Sequence, residues 1–434
     1  MAINRGHRSL ILSTTASFFM WGIIGTIAPL SLSFPFLVSV PRFVSTEILI
    51  VGPIFIMLGN VLMGIVADHI GRKKVFIVTM ISYGLGVILI TIAFSVPLLI
   101  LGLVLSEFGV GGEEPTGLAL IAEDFPSETR SKFLTMVANF DNIGSAFISG
   151  IFIVESTLAI YLHPYLTTLF GSLSYEGDLT FRFILLVSAA ALIIIMVYSR
   201  ITMPESYRWL QSRGRNKEAE HEKSILGIKD SEASVPMVPF RITLPILMTM
   251  GISQYLTFGL MAYIVGPYEF PSETPTLTFV AMVGASAAGF LAMYLINRER
   301  RIYTLASFLG GTITIAMILG LASHLASMTV FLPLLFLNMM FSEFAWASRT
   351  TLEPELVPTR MRSSAIGIIR LAPMIGYTVS VYLTASLNLS QFLYYNLGLW
   401  LLGLGSAVAW FLLGYETRNV NIDYGALGQA RATR

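Results

Sequence analysis

The chain has 434 residues, of which 55% are hydrophobic and 12% are charged, with a net charge of +1 and no cysteine. Its mean hydropathy of +0.74 and its charged fraction, about half that of an ordinary soluble domain, exclude a soluble globular protein. The same figures exclude a disordered chain, a disulfide-stapled domain and a nucleic-acid-binding protein.

Twelve apolar stretches are long enough to cross a bilayer, which requires about 20 helical residues each. A β-barrel is excluded, because its strands would be about 10 residues long with alternating polarity. The first stretch is too long for a cleaved signal peptide and has no small-residue cleavage site. The predicted spans are residues 10–33, 46–67, 75–95, 97–121, 132–155, 182–203, 241–265, 276–296, 302–322, 327–349, 363–387 and 391–414.

A charged segment, residues 204–240, interrupts the chain between spans six and seven. Its charges and partial amphipathic pattern predict a linker that contains a surface helix from Trp209 to Leu226. The linker separates an N-terminal six-helix bundle, residues 1–203, from a C-terminal six-helix bundle with a short tail, residues 241–434. The predicted fold class is therefore an all-α membrane protein with twelve transmembrane helices in two six-helix bundles.

The Lys and Arg residues predict the orientation of the chain. Of these 27 residues, all except Arg42, Arg182, Arg349 and Arg370 fall at the termini or in the linker and loops on the same side. Because Lys and Arg in short loops are retained in the cytoplasm, both termini are expected there. The expected location is the plasma (inner) membrane.

Short motifs after corresponding spans of the two halves resemble each other. Parallel six-span repeats with a site between them are typical of secondary transporters, so the repeat favours that function. The matching sets are Glu123, Pro126, Arg130 and Ser131 with Glu355, Pro358, Arg362 and Ser363; Asp68 and Arg72 with Asn297 and Arg301; and Glu205 and Ser206 with Glu416 and Thr417.

Four of these motifs resemble those of a known family, the major facilitator superfamily. Gly64 to Lys74, with its Gly, Asp, Gly and Arg, resembles the signature of the loop between spans two and three. Residues 204–210, with Pro204, Glu205 and Arg208, resemble the motif that ends span six in the sugar-porter branch. The segments 123–130 and 416–418 are similar to that branch too. The resemblance implies two helix bundles that rock around a midplane site.

The motif residues are expected to form a charge network that switches the conformation at the cytoplasmic ends of the helices. A glycine lets two helices approach closely, and carboxylate–guanidinium pairs tie helix ends together. Each exposed pair is worth about 1 kcal/mol, so only the network is large enough to bias a conformational equilibrium. The expected gating residues are Gly64, Asp68, Arg72, Glu123, Arg130, Glu205, Arg208, Glu355, Arg362 and Glu416.

The sequence departs from the sugar-porter pattern in three spans. Span one has no ionisable residue after Arg8, and span four has no basic residue. Span seven has Gln254 beside Tyr255 but lacks a paired glutamine. In span four, the pattern of Gly111 and Gly112 followed by an acid is similar to that of metabolite–proton symporters and organic-ion carriers of the same superfamily. A charged or zwitterionic solute is therefore expected, with a neutral sugar as the alternative.

Seven charged residues are expected to lie inside the membrane and away from its surfaces, where a charge costs several kcal/mol. Five are acidic and two are basic, so either some acids are protonated or a cation lies among them. These residues are Glu107, Glu113, Glu114, Asp141, Glu343, Arg349 and Arg370.

Four of these residues have specific expected roles. Glu114 and Asp141 are expected at similar depth on adjacent helices, where a carboxyl pair can carry a proton. Arg370 is expected either to bind a carboxylate of the solute or to form an ion pair with Glu343 or Glu114. Arg349 is expected to reach the cytoplasmic interface.

The predicted function is secondary active transport of a small organic solute by alternating access, coupled to protons. Alternatives are a sugar or polyol porter, using polar residues of spans five, seven and ten, and a transporter-like solute sensor. An enzyme, a metal and a cofactor are not expected, because the sequence has no nucleophile–base set, ligand spacing or phosphate-binding loop. The expected partners are the solute, protons and lipid, without nucleic acid, and the protein is expected to act as a monomer. The polar residues of the sugar alternative are Asn139, Asn142, Gln254 and Asn338.

Overall fold

The computed structural model describes residues 5–34, 36–37, 40–170, 179–226, 240–357 and 359–418. Within these ranges, twelve helical segments are long and apolar enough to cross a membrane. The structure thus confirms the predicted fold class, and most predicted boundaries lie within a few residues of the observed ones.

The N-terminal half contains seven helices and the linker two short ones. They are α1 Arg5–Ser31, α2 Arg42–Ile70, α3 Arg72–Thr91, α4 Val96–Asp124, α5 Ser127–Ala138, α6 Phe140–Phe170, α7 Leu179–Thr202, α8 Tyr207–Ser212 and α9 Asn216–Leu226. The C-terminal half begins with α10 Phe240–Gly259, which continues through a π-helical turn, Leu260–Ile264, into α11 Val265–Glu269. The remaining helices are α12 Thr274–Leu295, α13 Arg300–Gly320, α14 Met328–Glu355, α15 Arg362–Thr384 and α16 Leu389–Leu413.

Two elements differ from their prediction. Span five is divided at Asn139 into α5 and α6, and α6 continues to Phe170, well beyond the predicted end at 155. The predicted linker helix is two helices, because Gly214 adopts a positive φ of 74° that ends a right-handed helix. Residues 227–239 of the linker lie outside the described residues, and so does the tail from residue 419.

Each half has a buried apolar core of its own. The N-terminal core contains Ile23, Leu103 and Phe181, and the C-terminal core contains Leu260, Phe331 and Trp400. Many large apolar side chains on the outer helix faces are exposed, as expected for a surface that contacts lipid. The domain boundaries themselves, 1–203, 204–240 and 241–434, stay a prediction.

The two halves meet most extensively along two helix pairs, α2 with α15 and α6 with α12. Glycines make the first contact possible, because a Cβ at Gly64 would lie 2.8 Å from the carbonyl oxygen of Ser363. A Cβ at Gly367 would lie 2.5 Å from the carbonyl oxygen of Asn60. Real Cβ atoms do not approach backbone this closely, so this packing depends on glycine at both positions.

Candidate transport site and the closed terminal face

The face of the molecule where α1 begins and α16 ends, here called the terminal face, is closed by buried ion pairs between the halves. Glu123 at the end of α4 accepts from Arg72 of its own half at 3.0 Å and from Arg362 of the other half at 2.9 Å. Its second oxygen accepts from the Ser206 hydroxyl. All three charged side chains are fully buried, so each charge requires the others as partners.

Glu355 has the corresponding position in the C-terminal half. It lies 3.6 Å from Arg130 of the N-terminal half and also forms a short ion pair with Arg300. The sequence repeat pairs Arg72 with Arg301, but the structure gives the equivalent role to Arg300. Arg301 instead donates to the carbonyl oxygen of Phe411. The repeat is therefore offset by one residue at this point.

A second set of contacts crosses the terminal face beside these pairs. Asp68 forms an ion pair with Arg72 at 3.0 Å, and its other oxygen accepts from the backbone N–H of Ser364 at 2.8 Å. In the reciprocal position, the Ser131 hydroxyl donates to the side-chain oxygen of Asn297 at 3.1 Å. These two contacts between the halves have related geometry, but only the contact of Asp68 involves a charged side chain.

Glu205 and Glu416 cap the N-termini of α3 and α13, which begin after the loops that follow spans two and eight. The backbone N–H of Arg72 donates to Glu205 at 3.0 Å, and that of Arg300 donates to Glu416 at 2.9 Å. Carboxylates stabilise helix N-termini in this way. Burial raises the pKa of Glu205, and the hydrogen bonds that its carboxylate accepts from backbone N–H groups oppose that shift.

Gly71 and Arg208 complete this corner of the terminal face. Gly71 has a φ of 106°, and a Cβ there would lie 2.4 Å from Glu205 Oε2. Glycine is therefore required for the carboxylate to reach the α3 N-terminus. The Arg208 side chain donates to the carbonyl oxygen of Glu123 at 2.8 Å, which ties the linker to the end of α4.

A buried ionic cluster of two acids and two bases lies between α4, α14 and α15. Arg370 forms a short ion pair with Glu114 and donates to Glu353 at 3.0 and 3.1 Å. Arg349 contacts Glu353 at 3.2 Å, and both guanidinium groups stack on Trp346. The guanidinium of Arg370 is thus occupied by protein carboxylates, and Arg349 is buried in the cluster instead of reaching the interface.

Glu353 was not among the predicted site residues, because the predicted span ten ends at residue 349. The helix α14 continues to Glu355. The spacing of Arg349 and Glu353, four residues apart on one helix face, was the available signal.

Glu113 has a partner within its own half. It accepts from Arg200 of α7 at 2.6 Å and from the Thr79 hydroxyl at 2.8 Å. Arg200 also donates to the hydroxyl of Ser17 at 2.8 Å. Arg200 was predicted among the basic residues of the loops, but its side chain is buried. This pair joins α4 to α7 and does not reach the interface between the halves.

Of the five acids predicted inside the membrane, three have no base within ion-pair distance in the described part of the chain. Asp141 accepts from the backbone N–H of Asn142, and the Asn142 side chain donates to Glu343 at 2.9 Å. Asn142 therefore links an acid of α6 to an acid of α14, in the other half. The third acid is Glu107, with one oxygen that has no hydrogen-bond partner. All three side chains are buried.

A small cavity of about 40 Å³, here called the central cavity, lies between the halves. It is lined by Glu107 and by four aromatic side chains from both halves. Residues Trp21, Tyr255, Tyr263 and Tyr377 provide the aromatic lining. A volume of this size accommodates one or two water molecules, so an organic solute can enter only if the surrounding helices move apart.

The lining of the central cavity depends on local features of α10 and the π-helical turn that follows. The turn carries Tyr263, whose hydroxyl lies 3.4 Å from that of Ser145 in α6. The ring of Tyr255 meets that of Tyr377 edge to face, with centroids 5.4 Å apart. A Cβ at Gly259 would lie 2.4 Å from the Tyr377 ring. The departure from regular α-helix thus coincides with the cavity, as is frequent at functional sites.

A wider vestibule of about 320 Å³ lies on the side opposite the terminal face, and Pro29 lines both spaces. Beside the vestibule, the Tyr268 hydroxyl lies 3.4 Å from that of Thr46 and donates to the carbonyl oxygen of Val381 at 3.1 Å. Arg42 stacks on the Tyr268 ring. These contacts between the halves are fewer and less charged than those of the terminal face.

Most of the polar residues that were predicted to bind a sugar or polyol form hydrogen bonds between helices instead. Asn139 donates to the carbonyl oxygen of Ser286 at 3.0 Å, Asn142 donates to Glu343, and Asn338 donates to Thr314 at 2.8 Å. Gln254 is buried next to Tyr255 and has an unpartnered side-chain oxygen, but it does not line the central cavity.

Two helical halves with a cavity between their membrane-spanning helices are the architecture of a membrane transporter. The chain belongs to the Major Facilitator Superfamily, whose family model matches residues 10–381. The predicted resemblance is thereby confirmed, and the chain is a multi-pass membrane transporter.

Individual relatives are distant over long alignments. The niacin transporter NiaP of Acinetobacter baylyi is 24% identical over 344 residues, which are 73% of this chain and 72% of that protein. The major myo-inositol transporter IolT of Bacillus subtilis is 24% identical over 383 residues, 79% of this chain and 77% of that protein. A solved structure of the proton:xylose symporter XylE bound to 6-bromo-6-deoxy-D-glucose has a TM-score of 0.75 at 15% identity, covering 97% of this chain and 98% of that one. The structural likeness shows the shared fold.

Proposed function

We propose that the protein is a secondary active transporter that moves a small organic solute by alternating access and couples this movement to protons. The observation that carries the proposal is the central cavity, which lies between the two halves next to buried acids that have no basic partner. We further propose that both termini lie in the cytoplasm, because the Lys and Arg residues concentrate on the terminal face.

The contacts around the central cavity support alternating access. On the terminal face, Glu123 and Glu355 hold arginines of both halves, so this side is closed. On the opposite side, the vestibule extends to Pro29, which also lines the central cavity. Opening one side while the other closes requires the terminal-face ion pairs to break and re-form, which is the kind of discrete rearrangement that switches use.

Proton coupling is supported by the acids that cross the interface between the halves. A carboxylate within the membrane costs several kcal/mol unless it is paired or protonated. Asp141 and Glu343 have only Asn142 between them and no base within ion-pair distance in the described chain. Because they belong to different halves, their separation changes when the halves rock, and their proton affinity changes with it. We therefore assign the coupling proton to this pair, whereas Glu114 is held by Arg370.

The ion pairs of Arg370 also bear on the class of solute. A carboxylate-bearing solute would have to displace Glu114 or Glu353 from Arg370, so Arg370 does not support an anionic solute. A neutral polyol stays the second candidate, because one relative is named as a myo-inositol transporter.

The test is uptake by proteoliposomes that contain the purified full-length protein. Labelled choline, myo-inositol and nicotinate represent a cationic, a neutral and an anionic solute. We expect at least one of them to accumulate under a pH gradient, and Asp141→Asn or Glu343→Gln to abolish the accumulation. Exchange of labelled for unlabelled solute should survive, because exchange requires no net proton movement. Glu47→Gln is the matched control, since Glu47 is an exposed carboxylate on α2.

Two results would contradict this proposal. Uptake of all three solutes no faster than in empty liposomes would exclude transport of these classes. Accumulation that persists in both acid variants would exclude Asp141 and Glu343 as the proton carriers.

A further inference from the structure

Glu107 is the only ionisable residue apart from tyrosine that lines the central cavity within the described chain. It lies about 16 Å along α4 from Val96, at a rise of about 1.5 Å per residue, and thus well inside the membrane. Its side chain is 1% exposed, and its Oε2 atom has no hydrogen-bond partner. The cavity therefore presents one carboxyl group that protein contacts leave incompletely satisfied.

The neighbouring helix α2 is shaped to leave room for this carboxyl group. A Cβ at Gly52 would lie 3.3 Å from Glu107 Oε1. That separation is shorter than most real Cβ contacts, so a larger residue at position 52 would press against the carboxyl group. Gly52 and Pro53 both line the cavity, which places the carboxyl group at its wall and not within helix packing.

The charge of the lining discriminates between solute classes. No Lys, Arg or His among the described residues lines the central cavity, so an anionic solute would meet Glu107 without compensation. A neutral solute can donate hydroxyl groups to Glu107, but the charge of the carboxylate is then compensated only if the carboxylate also binds a proton. A cationic solute compensates the charge directly.

The other lining side chains suit a cation as well. The aromatic rings of Trp21, Tyr255 and Tyr377 line the cavity together with the carboxyl group. The two tyrosine rings contact each other edge to face. Aromatic side chains attract ammonium groups, most strongly where water is excluded, and recurring sites for quaternary ammonium ligands combine several of them. The indole N–H of Trp21 has no hydrogen-bond partner, so this polar group is available to a ligand.

We propose that the transported solute is a small organic cation whose ammonium group binds Glu107 within the cage of Trp21, Tyr255, Tyr263 and Tyr377. This inference rests on the proposed transport function and names its substrate class. It gives Glu107 a role distinct from that of Asp141 and Glu343, because Glu107 contacts the solute whereas the other two acids carry the proton.

The experiment compares two probes of nearly the same shape, choline and 3,3-dimethyl-1-butanol, which replaces the quaternary nitrogen by carbon. Thermal unfolding of the purified full-length protein is measured against millimolar concentrations of each probe, since a ligand that binds the folded state raises the midpoint. We expect choline to stabilise the protein and the neutral analogue to have no effect. Myo-inositol and nicotinate are measured in the same series.

Three variants locate the binding. Glu107→Gln keeps the shape but removes the charge, and we expect it to weaken choline binding roughly tenfold or more. Trp21→Leu should weaken it by a similar factor through loss of the aromatic face. Glu47→Gln should leave it unchanged. The unfolding midpoint without ligand verifies that each variant folds, and Trp21→Leu tests the cage if Glu107→Gln does not fold.

Several outcomes would overturn the proposal. One is stabilisation by the neutral analogue that equals stabilisation by choline. Another is choline binding that persists in Glu107→Gln. The third is no stabilisation by choline, whether or not myo-inositol or nicotinate stabilises the protein. Accumulation of myo-inositol or nicotinate in the proteoliposomes without choline binding would reject the cation and leave the transport function standing. Absence of any uptake would reject the transport function itself.

Discussion

The acids of the terminal face and the acids around the central cavity are equally buried but have different surroundings. Glu123 and Glu355 each lie against arginines of both halves. Glu107, Asp141 and Glu343 have no base within ion-pair distance in the described structure. Burial of a carboxyl group alone therefore does not indicate its role. A paired acid contributes to the shape of one conformation, whereas an unpaired acid in the membrane requires a proton or a cation.

The cluster of Glu114, Glu353, Arg349 and Arg370 lies between these two cases. Its acids and bases balance, and one of its pairs, Glu114 with Arg370, crosses between the halves. It resembles the terminal face in its pairing and the central cavity in its position within the membrane. The distinction between the two regions thus depends on available bases and not on depth in the bilayer.

The largest expected effect is the loss of a base from this cluster. Arg370→Met would leave Glu114 without its partner and Glu353 with Arg349 alone, and we expect it to destabilise the protein by about 3–5 kcal/mol. The double variant Arg370→Met with Glu114→Gln should recover much of that loss, because it removes the uncompensated charge. Unfolding midpoints of both variants are the measurement, and equal loss in the two would show that the cluster charges do not depend on one another.

Steric obstruction of the α2–α15 contact should have the next largest effect. In Gly367→Ala, the new Cβ would lie 2.5 Å from the Asn60 carbonyl oxygen, which should disfavour the closed terminal face by about 1–3 kcal/mol. Gly398→Ala is the matched control, because nothing lies within 4 Å of that position.

Distances between introduced cysteines measure this effect, since the chain has none of its own. Spin labels at Lys74→Cys and Glu299→Cys report on the terminal face, because both residues are exposed near the first turns of α3 and α13. We expect a longer-distance population in Gly367→Ala but not in Gly398→Ala. An unchanged distribution would mean that the glycine contact does not control closure.

Neutralising one crossing contact should have a smaller effect. Asp68→Asn removes the charge that meets Arg72 and Ser364, with an expected loss of about 1.5 kcal/mol, which corresponds to roughly tenfold in the closed population. Transport should slow while equilibrium binding of choline changes by no more than a few-fold, because Asp68 is far from the central cavity. A strong loss of binding in a folded variant would link Asp68 to the solute site instead.

The smallest expected effect concerns Glu205, whose pKa is raised by burial. A carboxyl group with a higher pKa in the folded state binds a proton more readily there. Lowering the pH through that pKa therefore favours folding. Relative to Glu205→Gln, the wild-type protein should gain less than about 1 kcal/mol of stability on acidification. Unfolding midpoints of both proteins across the acidic pH range test the sign, and a relative loss would contradict it.

The sequence alone predicted the twelve spans and the two halves, because long apolar stretches must be helical in a bilayer. It also predicted the residues of the terminal-face network, since the same motif recurs after corresponding spans. Local geometry was less predictable. The break of the linker helix depends on the conformation of Gly214, and the offset between Arg300 and Arg301 depends on which backbone N–H faces Glu416.

Only the tertiary structure decided which intramembrane acids have partners. From the sequence, Glu107, Glu113 and Glu114 were all candidates on one helix, Glu114 was assigned a proton-carrying role with Asp141, and Arg370 had several possible partners. The structure joins Glu113 to Arg200 and Glu114 to Arg370, and it leaves Glu107 at the central cavity. The physical reason is that helix periodicity determines which face a residue occupies, whereas the packing of distant helices determines what that face meets.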